Sequence, residues 1–234
     1  MITSLKQRDV IQSPLLAQQD RILHFTTTRN GTPAQVPENI YVPNQTHSSH
    51  IAIVTAETDA ATLEDTDALI TNLPGICIAV KTADCVPVLL YDSVRQAVAA
   101  IHAGWKGTAQ QIVVKTVEKM ADAFDSDPQD ILAFIGPAIS MDAYEVGEEV
   151  SSVFQDMKSV PETAIKRYPS GKNHINLPFI NSCQLIGAGL SANNIDISDL
   201  CTYSHPELFF SARRDGMGTG RMLSGISLRK EGDL

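Results

Sequence analysis

The feature that most constrains this chain is the stretch at residues 81–108, which reads KTADCVPVLLYDSVRQAVAAIHAGWKGT. Residues 86–91 and 97–101 are continuous apolar runs, and the Asp92-Ser93 pair between them has turn chemistry. The pattern predicts two buried strands. If they pair antiparallel about the turn, Cys85 at the start of the first lies beside His102 at the end of the second. A thiolate and an imidazole held together are two of the three protein ligands that a catalytic zinc needs.

A third candidate ligand is His47, which, like Cys85 and His102, lies at the edge of a predicted strand beside polar or glycine residues. The three residues are too widely separated to form a local metal motif. Cys85 could instead be a nucleophile with His102 as its base, or a buried thiol that packs as a small apolar side chain. The spacing leaves these alternatives open.

A second group of candidate site residues lies near the C-terminus, where Arg213 and Arg214 precede a glycine-punctuated loop. Arginine presents a planar fork that suits phosphate or carboxylate, although a surface ion-pair network would use the same residues. Lys106 and Arg29 are further basic candidates for an anionic substrate. The single tryptophan, Trp105, could stack on a flat ring or pack beside a metal.

Composition restricts the partners and the compartment. The net charge is −9 and no Lys/Arg cluster is present, which argues against a nucleic-acid partner. The sequence has no apolar span of about 20 residues, and its N-terminus lacks the apolar core of a signal peptide. We therefore predict a cytoplasmic protein with no membrane partner. The cysteines, which lack C-x-x-C spacing, are expected to be reduced thiols or ligands. They are Cys77, Cys85, Cys183 and Cys201.

Strand-like and helix-like segments alternate irregularly, which predicts an α/β fold with a mixed sheet in a single domain over residues 1–234. Apolar positions at helical spacing predict helices over residues 108–123 and 177–190. Extended segments are predicted from apolar, β-branched or aromatic runs. They are residues 22–28, 51–55, 68–71, 77–81, 131–135, 195–198, 201–204, 208–210 and a last strand from Met222.

A series of short motifs, in order along the chain, matches one known family. They are Gln45-Thr46-His47-Ser48 for Q-x-H-x, residues 82–88 for T-A-D-C-x-P-V, residues 102–107 for H-A-G-W-[RK]-G, residues 135–139 for G-P-x-I, residues 144–147 for Y-E-V, and residues 210–216 with 220–221 for F-S-x-R-R-D-G…G-R. Over about residues 45–226 the chain thus resembles the YfiH/laccase-domain family, also described as multicopper polyphenol oxidase-like.

The resemblance implies a four-layer α/β/β/α fold with mixed β-sheets and a zinc ion held by His47, Cys85 and His102. Members are associated with phosphorolysis of adenosine, inosine, guanosine and 5′-methylthioadenosine, and with adenosine deamination. We therefore expect a purine nucleoside and phosphate as partners of a monomer or homodimer. Catalytic roles are expected for the three ligands together with Arg213 and Arg214.

Other functions are also compatible with these motifs. Older descriptions of the family imply a copper polyphenol oxidase, with Cu²⁺ in place of Zn²⁺, and related bacterial proteins are linked to editing of peptidoglycan precursors. A structural zinc in an interaction module is the fourth hypothesis. The candidates for the general acid that protonates a leaving purine are Asp84, Glu145 and His205. The segment at residues 28–32 lacks the second glycine of the family's T-R-x-G-G element, which weakens the case for Arg29 as a substrate contact.

Overall fold

Three β-sheets and five α-helices make up the part of the chain that the computed structural model describes, which is residues 9–31, 39–167, 171–230 and 232. The strands are β1 (Val10–Ile11), β2 (Ile22–Thr27), β3 (Ile40–Tyr41), β4 (Ile51–Ile53), β5 (Ala68–Thr71), β6 (Cys77–Thr82), β7 (Val86–Asp92), β8 (Ala97–Ala103), β9 (Ile131–Ile135), β10 (Glu145–Val146), β11 (Ile165–Arg167), β12 (Asn173–Ile175), β13 (Ile195–Ile197) and β14 (Met222–Leu228). The α-helices are α1 (Trp105–Ala109), α2 (Ile112–Phe124), α3 (Glu148–Gln155), α4 (Leu177–Gly187) and α5 (Ala212–Asp215).

The central stretch forms the middle of a six-stranded mixed sheet with the order β13-β9-β7-β8-β5-β4. Strands β7 and β8 pair antiparallel, with Pro87 opposite His102 and Val86 opposite Ala103. The predicted pairing is therefore confirmed, and it brings the residue before β7, which is Cys85, next to the end of β8.

The second large sheet has the order β1-β2-β14-β6-β3 and packs face to face with the first. Successive side chains of β7 alternate between two cores. Val88 and Leu90 pack on the side of the helices, whereas Leu89 and Tyr91 pack between the sheets. Every residue of β7 and β8 is buried. A strand covered on both faces needs a continuous apolar run, which is the pattern that the sequence shows.

Helices α2 and α4 cover the outer face of the six-stranded sheet, and their apolar positions complete the first core. The predicted helix over residues 108–123 is divided in two, because Gln111 has a φ of +58° and ends the hydrogen-bonded turn that begins at Trp105. No helix in the described ranges combines the length and apolarity that crossing a bilayer would need.

The mixed α/β class and the mixed sheets are confirmed, and the predicted strand at residues 131–135 coincides with β9. The extended structure predicted for residues 201–204 and 208–210 is wrong. Apart from one isolated bridge between Cys201 and Ala138, these residues form turns and irregular backbone. Three of their carbonyls, those of Thr202, Tyr203 and Phe209, accept hydrogen bonds from the Arg214 guanidinium.

Candidate metal centre

His47, Cys85 and His102 converge at one end of the six-stranded sheet. One ligand atom from each lies within 4.8 Å of the others, and Cys85 Sγ is 3.8 Å from His47 Nε2. Cys85 precedes β7, His102 is in β8, and His47 is in the loop before β4, with a φ of +63°. Two imidazoles and one thiolate are a donor set that can hold a transition-metal ion.

Asp67, a buried residue just before β5, organises two of the three ligands. Its Oδ1 atom accepts a 2.6 Å hydrogen bond from His102 Nδ1, which leaves the Nε2 atom of His102 free for a metal. The same carboxylate accepts the backbone N–H groups of Thr46, His47 and Ser48. Burial would raise the pKa of Asp67, but hydrogen bonds from His102 and Ser48 outweigh burial and lower that pKa to about 2.

The loop that carries His47 is held to the other sheet by Gln45. Its side-chain amide donates to the carbonyl of Lys81 and accepts the Lys81 N–H, both at 2.8 Å, so that it continues the hydrogen bonding of β6 as a strand would. On the opposite side Gly104 lies directly against the ligands. A Cβ at this position would be 2.9 Å from His47 Cδ2 and 3.1 Å from Cys85 Sγ, so only glycine fits without displacing them.

The electrostatics of the metal-free site favour a thiolate. Burial raises the pKa of Cys85, but the adjacent His102 and His47 rings outweigh burial and lower it to about 6. Burial lowers the pKa of His102, whereas the Cys85 thiolate and the Asp67 carboxylate raise it to about 9. A metal ion needs the thiolate and a neutral imidazole, so its binding displaces a proton from His102.

The three ligands open onto a pocket of about 510 Å³, called the central pocket here. Its walls bring together residues from both large sheets and from the loop after α5. Besides the ligands, the lining includes the cations Lys81, Arg213 and Arg221, the rings of Trp105 and Tyr144, and the apolar side chains of Ile139, Leu177 and Met217. A concave site of this size, with apolar walls and a few convergent polar groups, suits a small-molecule substrate.

Asp84 lies beside Cys85 in the wall of the central pocket and has a φ of +87°. Its carboxylate accepts hydrogen bonds from Thr202 Oγ1 at 2.6 Å, Ser211 Oγ at 3.0 Å and the Arg213 N–H at 2.7 Å. All three donors belong to the C-terminal segment. The Asp84 carboxylate therefore anchors the C-terminal segment, and both of its oxygens already accept hydrogen bonds.

The two neighbouring arginines face different surroundings. Arg213 lines the central pocket, where its guanidinium donates to the Glu145 carbonyl at 2.7 Å and lies 5.3 Å from the centroid of the Tyr144 ring. Arg214 is not among the lining residues, because its guanidinium binds backbone carbonyls and forms an ion pair with Asp215. The structure thus brings Arg213, and not Arg214, to the predicted site.

The remaining predicted contacts lie outside the lining of the central pocket. The Glu145 carboxylate pairs with Lys172, and His205 pairs with Glu207. Arg29 stacks on Phe210, with its Cζ atom 5.0 Å from the ring centroid. Lys106 lies over the ring of Trp105, which itself lines the pocket.

Asp67, Gln45, Gly104 and Tyr144 were not singled out as site residues from the sequence. A signal was present for three of them, because Gln45, Gly104 and Tyr144 lie within motifs that match the family. Asp67 lies at the end of an acidic loop, and nothing in that loop separates it from its exposed neighbours.

Comparison with known proteins places these residues in a family. Residues 22–229 match the family described as multi-copper polyphenol oxidoreductase laccase. A protein of Bacteroides thetaiotaomicron named purine nucleoside phosphorylase is 36% identical over 270 aligned positions, covering 98% of this chain and 100% of that protein. Adenosine deaminase RL5, from an unknown prokaryotic organism, is 39% identical over 197 positions, covering 81% of this chain and 75% of that protein. The crystal structure of the hypothetical protein YfiH of Bacillus licheniformis superposes with a TM-score of 0.84 at 31% identity, covering 92% of this chain and 94% of that one.

Proposed function

The chain belongs to the multi-copper polyphenol oxidoreductase laccase family, and within it we propose that this protein is a zinc-dependent purine nucleoside phosphorylase that also deaminates adenosine. The proposed substrates of phosphorolysis are adenosine, inosine, guanosine and 5′-methylthioadenosine. The names of the two relatives support the two activities, and the geometry of the central pocket supports the chemistry.

The observation that carries the proposal is the position of the three ligands in a pocket that also holds Arg213. The ligand set has three members, so a tetrahedral ion would keep one position for a substrate or water. When bound, such an ion supplies Lewis-acid stabilisation of developing charge and activates water. A thiolate with two imidazoles is a donor set suited to zinc.

The chain's own residues would bind and orient the two substrates. In phosphorolysis the bond between C1′ of the ribose and the purine nitrogen breaks, and a phosphate oxygen bonds to C1′. Arg213 contacts the Glu145 carbonyl and the Tyr144 ring, and its remaining N–H groups would bind an anion in the pocket. Lys81 and Arg221 add positive charge to the lining. The rings and apolar side chains of the walls suit a planar base.

The proposal is tested by metal analysis and product analysis of the purified full chain. We expect about one zinc ion per chain. Adenosine or inosine should release its free base only when phosphate is present, whereas adenosine without phosphate should give inosine. The Cys85→Ser variant should lose both metal and activity. Its matched control is Cys183→Ser, which changes a cysteine on α4 outside the pocket and should retain both. Metal-loaded protein that forms neither free base nor inosine would refute the proposal.

Copper polyphenol oxidation is the competing hypothesis, since it is the activity that the family description names. Within the described residues one group of side chains lies close enough together to hold a metal ion, namely His47, Cys85 and His102. A multicopper oxidase must surround several ions, so one group of three favours a mononuclear site. Measurement of O₂ consumption with a phenol and copper-loaded protein decides between them, because only the oxidase consumes O₂.

A structural zinc predicts a different variant phenotype. His47 is the most solvent-accessible of the three ligands. If the metal serves catalysis, His47→Ala should leave the protein folded and inactive. If the metal serves folding, the same variant should lose its cooperative thermal transition.

A further inference from the structure

The hydroxyl of Tyr144 is a polar group of the central pocket to which the proposed chemistry has given no role. Tyr144 lines the pocket, and in the described part of the chain its hydroxyl makes no hydrogen bond with protein. The ring is partly buried. A phenol hydroxyl in the lining of a pocket that has no protein partner can form a hydrogen bond with a bound molecule.

The ring is rigidly placed, which is what a substrate contact needs. The Tyr144 backbone N–H donates to the carbonyls of Ser140 at 3.0 Å and Met141 at 3.2 Å, and its carbonyl accepts from the Ile175 N–H at 3.3 Å. The Arg213 guanidinium covers one side of the ring. These contacts hold the Tyr144 backbone and one face of its ring in the wall of the pocket.

The three candidates for the proton donor that the sequence offered are occupied or absent from the wall. The Asp84 carboxylate accepts three hydrogen bonds, and the Glu145 and His205 side chains pair with neighbours outside the lining. The cations of the pocket, Arg213 among them, suit the phosphate. Two hydroxyl side chains line the pocket, and that of Thr82 is fully buried within the wall, so the partly exposed Tyr144 presents the hydroxyl that can meet a base.

We propose that the Tyr144 hydroxyl donates a hydrogen bond to N7 of the purine as the glycosidic bond breaks. This inference rests on the proposed phosphorolysis. The electron pair of the C1′–N9 bond passes to the base and spreads to N7, while a phosphate oxygen forms the new bond to C1′. Tyr144 keeps its proton throughout, and solvent protonates the released base. Burial raises the pKa of Tyr144, so its hydroxyl stays protonated.

The test compares Tyr144→Phe on guanosine and on 7-methylguanosine, in metal-loaded full-length protein with phosphate. The methylated base carries a positive charge and a blocked N7, so it leaves as a neutral molecule and cannot accept the hydrogen bond. We expect kcat on guanosine to fall about 100-fold, which is typical for loss of one donor to a developing negative charge. We expect kcat on 7-methylguanosine to change less than about threefold. Tyr203→Phe, an exposed tyrosine outside the pocket, should change neither rate.

The controls separate this role from two others. Zinc content and the thermal midpoint of Tyr144→Phe should equal those of the wild type. Equal losses on both nucleosides, or a higher KM for phosphate with unchanged kcat, would overturn the inference while leaving phosphorolysis in place. If the wild-type protein releases no base from either nucleoside, the proposed function itself fails.

Discussion

Replacing Asp67 with asparagine tests how the metal centre is built, because the two carboxylate oxygens serve different ligands. Oδ1 accepts from His102 Nδ1 at 2.6 Å and from the His47 N–H at 3.1 Å. Oδ2 accepts from the N–H groups of Thr46 at 3.1 Å and Ser48 at 2.8 Å, and from the Ser48 hydroxyl at 2.8 Å. Asparagine has only one oxygen, so it cannot serve both sets of donors.

Either orientation of the asparagine damages the site. If its NH₂ group faces His102, the imidazole must accept at Nδ1 and carry its proton on Nε2, which is the nitrogen needed by the metal. If the NH₂ group faces the loop, two backbone N–H groups beside His47 lose their acceptor. Loss of such an orienting partner typically weakens metal binding by 10- to 100-fold, or about 1.4–2.7 kcal/mol.

The assay is a zinc titration of metal-free protein in competition with a chromogenic chelator. We expect Asp67→Asn to show the weaker affinity, and its activity should recover partly at saturating zinc because Asp67 is not among the residues that line the central pocket. Asp122→Asn, an exposed carboxylate on α2, is the matched control and should bind zinc as the wild type does. A zinc Kd for Asp67→Asn within about twofold of the wild-type value would show that Asp67 does not orient the ligands.

Two further predictions concern buried positions. Burial lowers the pKa of His24 from 6.5 to about 4, so the neutral form is favoured by folding. The contribution of neutral His24 to the free energy of unfolding is fully present above pH 6.5. It is lost as the pH falls from 6.5 to 4, and the loss is up to about 3 kcal/mol. His24→Gln should flatten this part of the pH dependence of urea unfolding, and an unchanged slope would refute the assignment. Gly104→Ala should reduce zinc affinity at least tenfold, because the new Cβ would lie 2.9 Å from His47 Cδ2; an unchanged chelator titration would contradict this.

The sequence could predict the Cys85–His102 half of the metal centre because the argument needs only local rules. Two continuous apolar runs separated by Asp92-Ser93 define a hairpin, and a hairpin determines which residues lie opposite each other. The residue before the first strand must then lie near the end of the second. The observed register, with Pro87 opposite His102, is set by the connection over residues 93–96 and agrees with this placement.

The rest of the site depends on contacts between distant segments, which no local pattern reveals. His47 reaches the other ligands only because its loop folds around the Asp67 carboxylate. The adjacent residues Arg213 and Arg214 look equivalent in sequence. In helix α5, however, Arg213 lines the pocket, whereas the Arg214 guanidinium binds backbone carbonyls. In the aromatic run at residues 208–210, which is not a strand, the N–H groups of Leu208 and Phe209 donate to the His205 carbonyl and Arg214 binds the Phe209 carbonyl.

Two strained residues and two buried carboxylates explain how the site keeps its shape. His47 and Asp84 have φ values of +63° and +87°, a conformation that costs a residue with a side chain about 1–3 kcal/mol. The His47 loop donates several hydrogen bonds to the Asp67 carboxylate. The C-terminal segment donates several to the carboxylate of Asp84 itself. A hydrogen bond to a charged group contributes about 1.5–3 kcal/mol, so several of them outweigh the strain. The ligands and Arg213 are therefore positioned by the protein fold itself, which reduces the cost of ordering them when metal and substrate bind.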